Sequence, residues 1–295
     1  MKPSLVAVDW GTSSLRAARI AADGTVLEER ASSRGILTVA AGGFPQVLQD
    51  TCGDWLAGDS LCLVSGMAGS RQGWREAPYV ACPAGFAEVA AQLTWIEPGR
   101  IALVPGQCCE TRGVPDVMRG EEVQVFGALD LLGKRDAILV LPGTHSKRVH
   151  VEDRRIVAFT TFMTGEVYAL LRQHSILART LPADEPPLDE AAFTRGVLHA
   201  REAGGLLQAA FSARTLALFE RMAQAALASY LSGLVIGEEL RAGAPSEEPL
   251  VLVGSTALTA RYALALRTLG QEARALGPEA GWRGLHALAR TLEQA

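Results

Sequence analysis

Two six-residue stretches carry the residue types that hold anions. G-T-S-S-L-R spans Gly11 to Arg16 and G-T-H-S-K-R spans Gly143 to Arg148, each directly after a short apolar run. Glycine lets the backbone approach a ligand closely and tolerates positive φ. The hydroxyls add donors, and successive N–H groups turned inward make a cradle for a negatively charged group. A single G-T-x-S is also an ordinary hairpin turn, because Gly, Ser and Thr are common turn residues. Two copies, each heading a matching series of elements, point to a duplicated anion site instead.

Each turn needs one strand to deliver it and another to carry the chain away. In the first copy, residues 4–9 (SLVAVD) read as a buried strand and residues 15–20 (LRAARI) as the next. AADG, at Ala21 to Gly24, is a hairpin signal, and TVLEERAS follows as a third strand. The second copy repeats this with AILVLP at 137–142, KRVHVED, RIVAFTTFM and a helix in EVYALLRQH. Further along the first half, LCLVSGMAGS reads as a strand running into a Gly-rich turn and FAEVAAQLTWI as helical. IALVPG reads as a strand and EEVQVFGALDLLG as an amphipathic helix. In the second half, FERMAQAALASYLSGLVIGEEL is a long helix, PLVLVGS a strand and TALTARYALALRTLG a helix, with GWRGLHALARTLEQ closing the chain. LPADEPPLDE, at Leu181 to Glu190, reads as a surface loop between helices. The expected architecture is α/β in two domains, residues 1–135 and 136–295, with a ligand site in the cleft between them.

Composition narrows the partners. The 295 residues suffice for two domains with cores of their own, and 48% hydrophobic with 20% charged residues is a globular balance. The net charge is −4 and the Arg residues are scattered, so no nucleic-acid surface is expected and the partners are small molecules. Five Cys residues without C-x-x-C spacing read as reduced, mostly buried thiols of a cytoplasmic protein. In MKPSLVAVDWG, Asp9 interrupts the apolar run far short of a signal-peptide core. No run approaches the roughly 18 apolar residues of a membrane span, so no membrane partner is expected. The apolar helices leave a homodimer open.

In chain order, DWGTSSLRA, SGMAGSRQGW, MRGEE, LPGTHSK, FMTGE and GSTALTARY resemble the motifs of the 2-dehydro-3-deoxygalactonokinase family. That family belongs to the superfamily of sugar kinases, heat-shock chaperones and actin, and the resemblance spans essentially the whole chain. It implies a duplicated ribonuclease H-like fold, the actin-like ATPase fold, with ATP clamped between two domains. Asp9, Gly11, Thr12 and Ser13 resemble its first phosphate motif, and Gly143, Thr144 and Lys147 its second. Gly254, Ser255 and Thr256 resemble its adenosine motif, though without the double Gly common in the superfamily. A carboxylate at Asp9 beside a triphosphate would be repulsive unless Mg²⁺ lay between them, so Asp9 is the expected metal-side residue, with ATP and Mg²⁺ as cofactors. Lys147 would add a point charge at the β- and γ-phosphates.

On the substrate side, Gly66, Met67, Ser70 and Trp74 lie in a stretch resembling the sugar-contacting loop of carbohydrate kinases. Arg119 offers a guanidinium for a substrate carboxylate. Phosphoryl transfer to an alcohol needs an in-line hydroxyl, a carboxylate to take its proton and cations to hold charge. A similar Gly-Glu-Glu run carries the base in an exopolyphosphatase branch, so Glu121 or Glu122 is the expected base and Asp116 the runner-up. The same pair would also suit a plain acidic first turn of a helix. Thr164 and Glu166 are expected to line the same cleft, unless Glu166 simply begins the next helix. The implied activity is ATP-dependent phosphorylation of the C6 hydroxyl of 2-dehydro-3-deoxy-D-galactonate, feeding an aldolase in galactonate breakdown. Two alternatives stand beside it. A phosphatase or exopolyphosphatase would turn the Glu pair on water. An ATP-switched binding protein would need a peptide-binding domain, for which 295 residues leave no room.

Overall fold

The computed structural model describes residues 5–56, 58, 60–243 and 248–294, so Ser4, the expected start of the first strand, lies outside the described residues. Strand β1 (Leu5–Trp10) is an apolar run buried on both faces, as a central strand must be. It pairs antiparallel with β2 (Leu15–Ile20), Leu5 opposite Ile20 and Trp10 opposite Leu15. The charged strand β3 (Val26–Ser32) takes the exposed edge beside β2. Helix α1 (Phe44–Cys52) follows, and β4 (Cys62–Gly66) then returns parallel to β1. After β5 (Tyr79–Ala81) and α2 (Phe86–Ala90) come β6 (Thr94–Glu97) and β7 (Ile101–Leu103). Strands β8 (Gly106–Thr111) and β9 (Val114–Met118) lead into α3 (Glu121–Leu132). The main sheet has the order β3-β2-β1-β4-β7-β6, with β5-β8-β9 as a smaller sheet.

The second copy begins with β10 (Ala137–Leu141), β11 (Ser146–Glu152) and β12 (Arg155–Phe162). Helices α4 (Thr164–His174), α5 (Glu190–Glu202), α6 (Leu206–Ala209), α7 (Ser212–Leu218) and α8 (Gln224–Ala242) follow. Strand β13 (Leu250–Val253), helix α9 (Thr256–Thr268), strand β14 (Ala273–Leu276) and helix α10 (Glu279–Gln294) complete the described chain. The sheet order is β12-β11-β10-β13-β14. Both sheets therefore begin third, second, first, fourth strand of their own copy and continue with a parallel strand, β7 in the first and β14 in the second, with β1 parallel to β4 and β10 parallel to β13. This is the duplicated ribonuclease H-like arrangement of actin-like ATPases.

Two compact units emerge. One contains the residues up to Ala137 with 149–159 and the stretch from Gly277, and the other contains 138–148 and 160–276. In the first, an apolar cluster of Val6, Trp10, Leu15, Phe44, Trp55 and Val64 fills one face of the sheet. Helix α10 packs on α3 so closely that a Cβ on Gly127 would overlap Ala280 O and one on Gly284 would overlap Val123 O. That contact fixes the helix whose first turn carries Glu121 and Glu122. In the second unit, α5 and α8 approach in the same manner through Gly196 and Gly233.

Three expectations are corrected. The helix expected over FAEVAAQLTWI stops at Ala90, and Thr94–Glu97 is an edge strand antiparallel to β7. The β-branched and aromatic residues Thr94, Trp95 and Ile96 suit a strand, and Gly99 at φ 74° makes the turn. The long helix begins at Gln224 instead of Phe219, because α7 ends there and Glu220 takes φ 53°. Of the five free thiols only Cys52 and Cys62 are buried, and the other three are half-buried.

Candidate active site

The carboxyl ends of β1 and β4 place Asp9 beside Ser65 and Trp10 beside Gly66. Gly66 has φ 89°, and a Cβ there would lie 2.9 Å from Trp10 O and 3.3 Å from Asp9 Oδ1, so this position requires glycine. Gly120, at φ 104°, closes on the same point from the start of α3. Its Cβ would stand 3.2 Å from Gly66 Cα and 4.0 Å from Ser65 Oγ. Arg16 Nη2 donates to Asp9 Oδ2 at 2.5 Å, leaving the Asp9 side chain 32% exposed.

The first G-T-S-S turn closes with Gly11 N–H donating to Ser14 O at 2.9 Å, and the Thr12 and Ser13 side chains are exposed. Gly35 lies directly on this turn: a Cβ there would overlap the backbone of Thr12 and Ser13. Neither Gly11 nor Gly143 uses the positive φ that glycine permits. What glycine provides is room, since a Cβ on Gly143 would meet nothing within 4 Å and one on Gly11 only Ser14 O at 3.5 Å.

Next to this strand end lies a set of buried polar atoms that lack partners: Ser65 Oγ, Ser70 Oγ, Arg119 Nε and Nη1, and Glu122 Oε1. Such atoms are rare in folded proteins, and each costs about 1–3 kcal/mol when unmatched. Arg119 is held from behind, Nη2 donating to Ala77 O at 2.8 Å and the guanidinium lying 4.3 Å from the Tyr79 ring centroid. Nη1 would be 2.9 Å from a Cβ on Gly69, which places it over the turn after β4.

Glu122 is fully buried, and its Oε2 accepts the Gly120 N–H at 2.7 Å. Burial, and then the charge of Glu121, push its carboxyl up to about 8. Glu121 is partly exposed, its Oε2 accepting the Arg119 backbone N–H at 3.0 Å. Asp116 stands opposite Cys109 on β9, and its Oδ1 accepts the Val117 N–H. Met67 opens the turn to Ser70. Trp74 stacks on Phe44 with ring centroids 6.3 Å apart and meets Trp10 edge-on, so its ring packs into the core.

In the second unit the turn after β10 meets the start of α4. Glu166 N–H donates to Thr144 O at 3.1 Å, and a Cβ on Gly165 would stand 2.6 Å from Gly143 O. His145 Nε2 and Glu166 Oε2 are 2.5 Å apart. Lys147 is only 4% exposed, its Nζ donating to His145 O at 3.2 Å. Thr164 and Glu166, expected to line the sugar-side cleft, lie beside the Gly143–Lys147 turn. Gly254 N–H donates to Leu276 O at 3.2 Å, while Ser255 and Thr256 lie exposed at the start of α9. A cavity of about 60 Å³ is bounded by Gly143, Thr164, Tyr168, Val235, Leu258 and Tyr262.

Sequence reading did not single out Glu239, Ser65, Gly35 or Gly120. Glu239 gave no clear signal, because it stands beside Glu238 and two residues before Arg241 at the charged end of α8. Among the described residues no three His, Cys, Asp or Glu side chains gather as a metal cage, and no helix is long and apolar enough to cross a membrane. Mg²⁺ bound with a nucleotide needs only one or two carboxylates, and the part-exposed Asp9 beside an open glycine turn fits that demand.

Comparison with known proteins shows the family. The family model for 2-keto-3-deoxy-galactonokinase matches residues 9–288. A Rhizobium meliloti protein named probable 2-dehydro-3-deoxygalactonokinase is 41% identical over 295 residues, covering 97% of this chain and 96% of its own. The 2-dehydro-3-deoxygalactonokinase of Escherichia coli is 33% identical over 296 residues, covering 99% of each. A crystal structure from Sinorhizobium meliloti, of a protein named for the same kinase, matches with a TM-score of 0.91 at 40% identity, covering 98% of this chain and 99% of its own.

Proposed function

The chain belongs to the 2-keto-3-deoxy-galactonokinase family, and from that premise we propose that it catalyses a phosphoryl transfer from ATP to a sugar acid. The reaction is the transfer of the γ-phosphoryl group of ATP to the C6 hydroxyl of 2-dehydro-3-deoxy-D-galactonate. A C6–O–P bond forms, the bond from the γ-phosphorus to the β,γ-bridging oxygen breaks, the hydroxyl proton passes to a carboxylate, and ADP leaves. The product, 2-dehydro-3-deoxy-6-phosphogalactonate, is an aldolase substrate in galactonate catabolism, and a cytoplasmic enzyme fits that reading. The phosphatase and binding-protein alternatives are not favoured, since both full-length relatives carry kinase names.

The observation that carries the site assignment is the unpartnered set at Ser65, Ser70, Arg119 and Glu122. A carboxylate oxygen can accept from Arg119 Nη1, and polyol or keto oxygens can complete Nε and the serines. Glu121 is the base in this reading, because it is part-exposed and oriented by the Arg119 N–H, whereas Glu122 is enclosed and holds Gly120 in place. Gly66, Met67 and Ser70 shape the sugar side. Gly11, Thr12 and Ser13, with Gly143, Thr144 and Lys147, offer N–H groups, hydroxyls and one ammonium to the phosphates, and Gly254 to Thr256 lie along the nucleoside. Asp9 would hold Mg²⁺, which supplies neutralisation of phosphate charge.

A coupled assay across 2-keto-3-deoxy acids tests the reading. ATP consumption should require the added sugar acid, and hydrolysis at equal rates without it would replace the kinase with a phosphatase. Arg119→Ala should raise KM for the sugar acid by roughly tenfold to a hundredfold while kcat falls far less, because a carboxylate clamp acts alike in ground and transition states.

A further inference from the structure

One buried carboxylate ties together three segments of the second unit that are distant in sequence. Glu239, on α8, is 5% exposed. Its Oε1 accepts from Ser146 Oγ at 2.6 Å, and its Oε2 accepts from both Thr164 Oγ1 and Tyr262 OH at 2.5 Å. We propose that Glu239 is a positioning residue of the phosphoryl transfer, which holds the Gly143–Lys147 turn, the start of α4 and helix α9 in a single arrangement by accepting these three hydroxyl protons. The proposal rests on the reading that nucleotide phosphates occupy that turn.

An ionised carboxylate only accepts, so it sets the direction of every hydroxyl that meets it. Ser146 is thereby committed to Glu239 and is not a phosphate donor. It anchors the residue between His145, whose carbonyl receives Lys147 Nζ, and Lys147 itself. Thr164 immediately precedes Gly165, which abuts Gly143. Tyr262 and Thr164 also bound the small cavity beside the turn. Displacement of Glu239 would therefore move the backbone N–H groups and the ammonium that face a phosphate, without Glu239 touching the ligand. Burial raises the pKa of Glu239, and the three hydroxyls and the charge of Arg148 oppose that rise. A buried carboxylate is a poor source of stability compared with apolar packing, so a positioning role explains it better than a contribution to folding.

The test combines steady-state kinetics with calorimetric binding of a non-hydrolysable ATP analogue to the full chain. Glu239→Gln keeps the shape but has one acceptor oxygen and a donor amide, so the three hydroxyls cannot all be accepted. It should raise KM for ATP and the analogue Kd at least tenfold and lower kcat by a similar factor, leaving KM for the sugar acid within twofold. Ser146→Ala should weaken analogue binding alone, and add nothing when combined with Glu239→Gln. If Glu239→Gln does not fold, Tyr262→Phe and Ser146→Ala decide, each with an expected threefold or larger loss of analogue affinity. Variants that lose thermal stability but keep wild-type analogue affinity would overturn the proposal. Lys147→Ala separates the two readings: if it weakens analogue binding and the Glu239, Ser146 and Tyr262 variants do not, the Glu239 proposal alone falls. Unchanged binding in Lys147→Ala removes the nucleotide from this turn, and the positioning role with it.

Discussion

The two copies of the G-T-x-S-x-R turn share a strand order and differ in what surrounds them. Asp9 in the first stands where Leu141 stands in the second, and Leu15 stands where Lys147 stands. Leu15 is fully buried among Trp10, Phe44 and their neighbours, while Lys147 is almost as buried with its ammonium on a backbone carbonyl. The first turn is held by apolar packing and by Gly35 beneath it. The second is held through Ser146 by a carboxylate on a distant helix. Arg16 pairs with Asp9 near the surface, whereas its counterpart Arg148 is half-buried and burial lowers its pKa. One strand order is thus compatible with either kind of support. In the proposed reaction the strand-end carboxylate of the first copy would meet the metal, and the lysine of the second the phosphates.

The sharpest way to break this division is at the base. Glu121→Gln should lower kcat by roughly a hundredfold to ten-thousandfold with KM little changed, since a general base acts only as the new bond forms. Glu122→Gln should matter less. If both variants stay within about threefold of wild type while Asp116→Asn is inactive, the base is Asp116, and the Glu pair is an acidic helix start.

Exchanging the equivalent residues tests the two kinds of support. Leu15→Lys puts an unpaired ammonium into an apolar cluster and should cost roughly 3–5 kcal/mol in chemical denaturation. Lys147→Leu should stay folded, with its loss appearing as at least tenfold weaker nucleotide binding. Equal destabilisation by the two changes would mean that both turns rest on the same kind of packing. Asp9→Asn should leave the fold intact and reduce turnover by about a hundredfold. Near-normal turnover and Mg²⁺ dependence in that variant would take Asp9 out of the mechanism.

The smallest expected effect is a pH dependence of stability. The Glu122 carboxyl rises from the ordinary range to about 8 on folding, so between these values the folded chain binds a proton that the unfolded chain has lost. That contribution is fully present at low pH and fades as pH rises through about 8, at about 1.4 kcal/mol per pH unit across the window. Glu122→Gln cannot lose the proton. The stability difference between wild type and this variant should therefore shift in favour of the variant from pH 5 to pH 8, and a difference independent of pH would mean that the carboxyl is already ionised in the fold.

The sequence by itself determined what depends on neighbouring residues. The first four strands of each copy were legible within a residue or two, because apolar runs and turn residues report local backbone preference, whereas β5, β6, β8, β9 and β14 were not. Glu121 and Glu122 were correctly expected at the start of a helix. Their separation into a part-exposed and a fully enclosed carboxylate was not legible, since it follows from how Gly66 and Gly120 close on each other. The hairpin Gly106–Met118 turns through Arg112 and Gly113, both at positive φ, and carries too little alternation to announce itself. Trp74, expected within the sugar-contacting stretch, packs against Phe44 and Trp10, contacts that its neighbours in sequence do not announce. Glu239 lies 93 residues from Ser146 and 75 from Thr164, and only the packing of α8 brings it to both. The tertiary structure decided these roles because burial belongs to the whole arrangement of chain around a residue, which no local window of sequence contains.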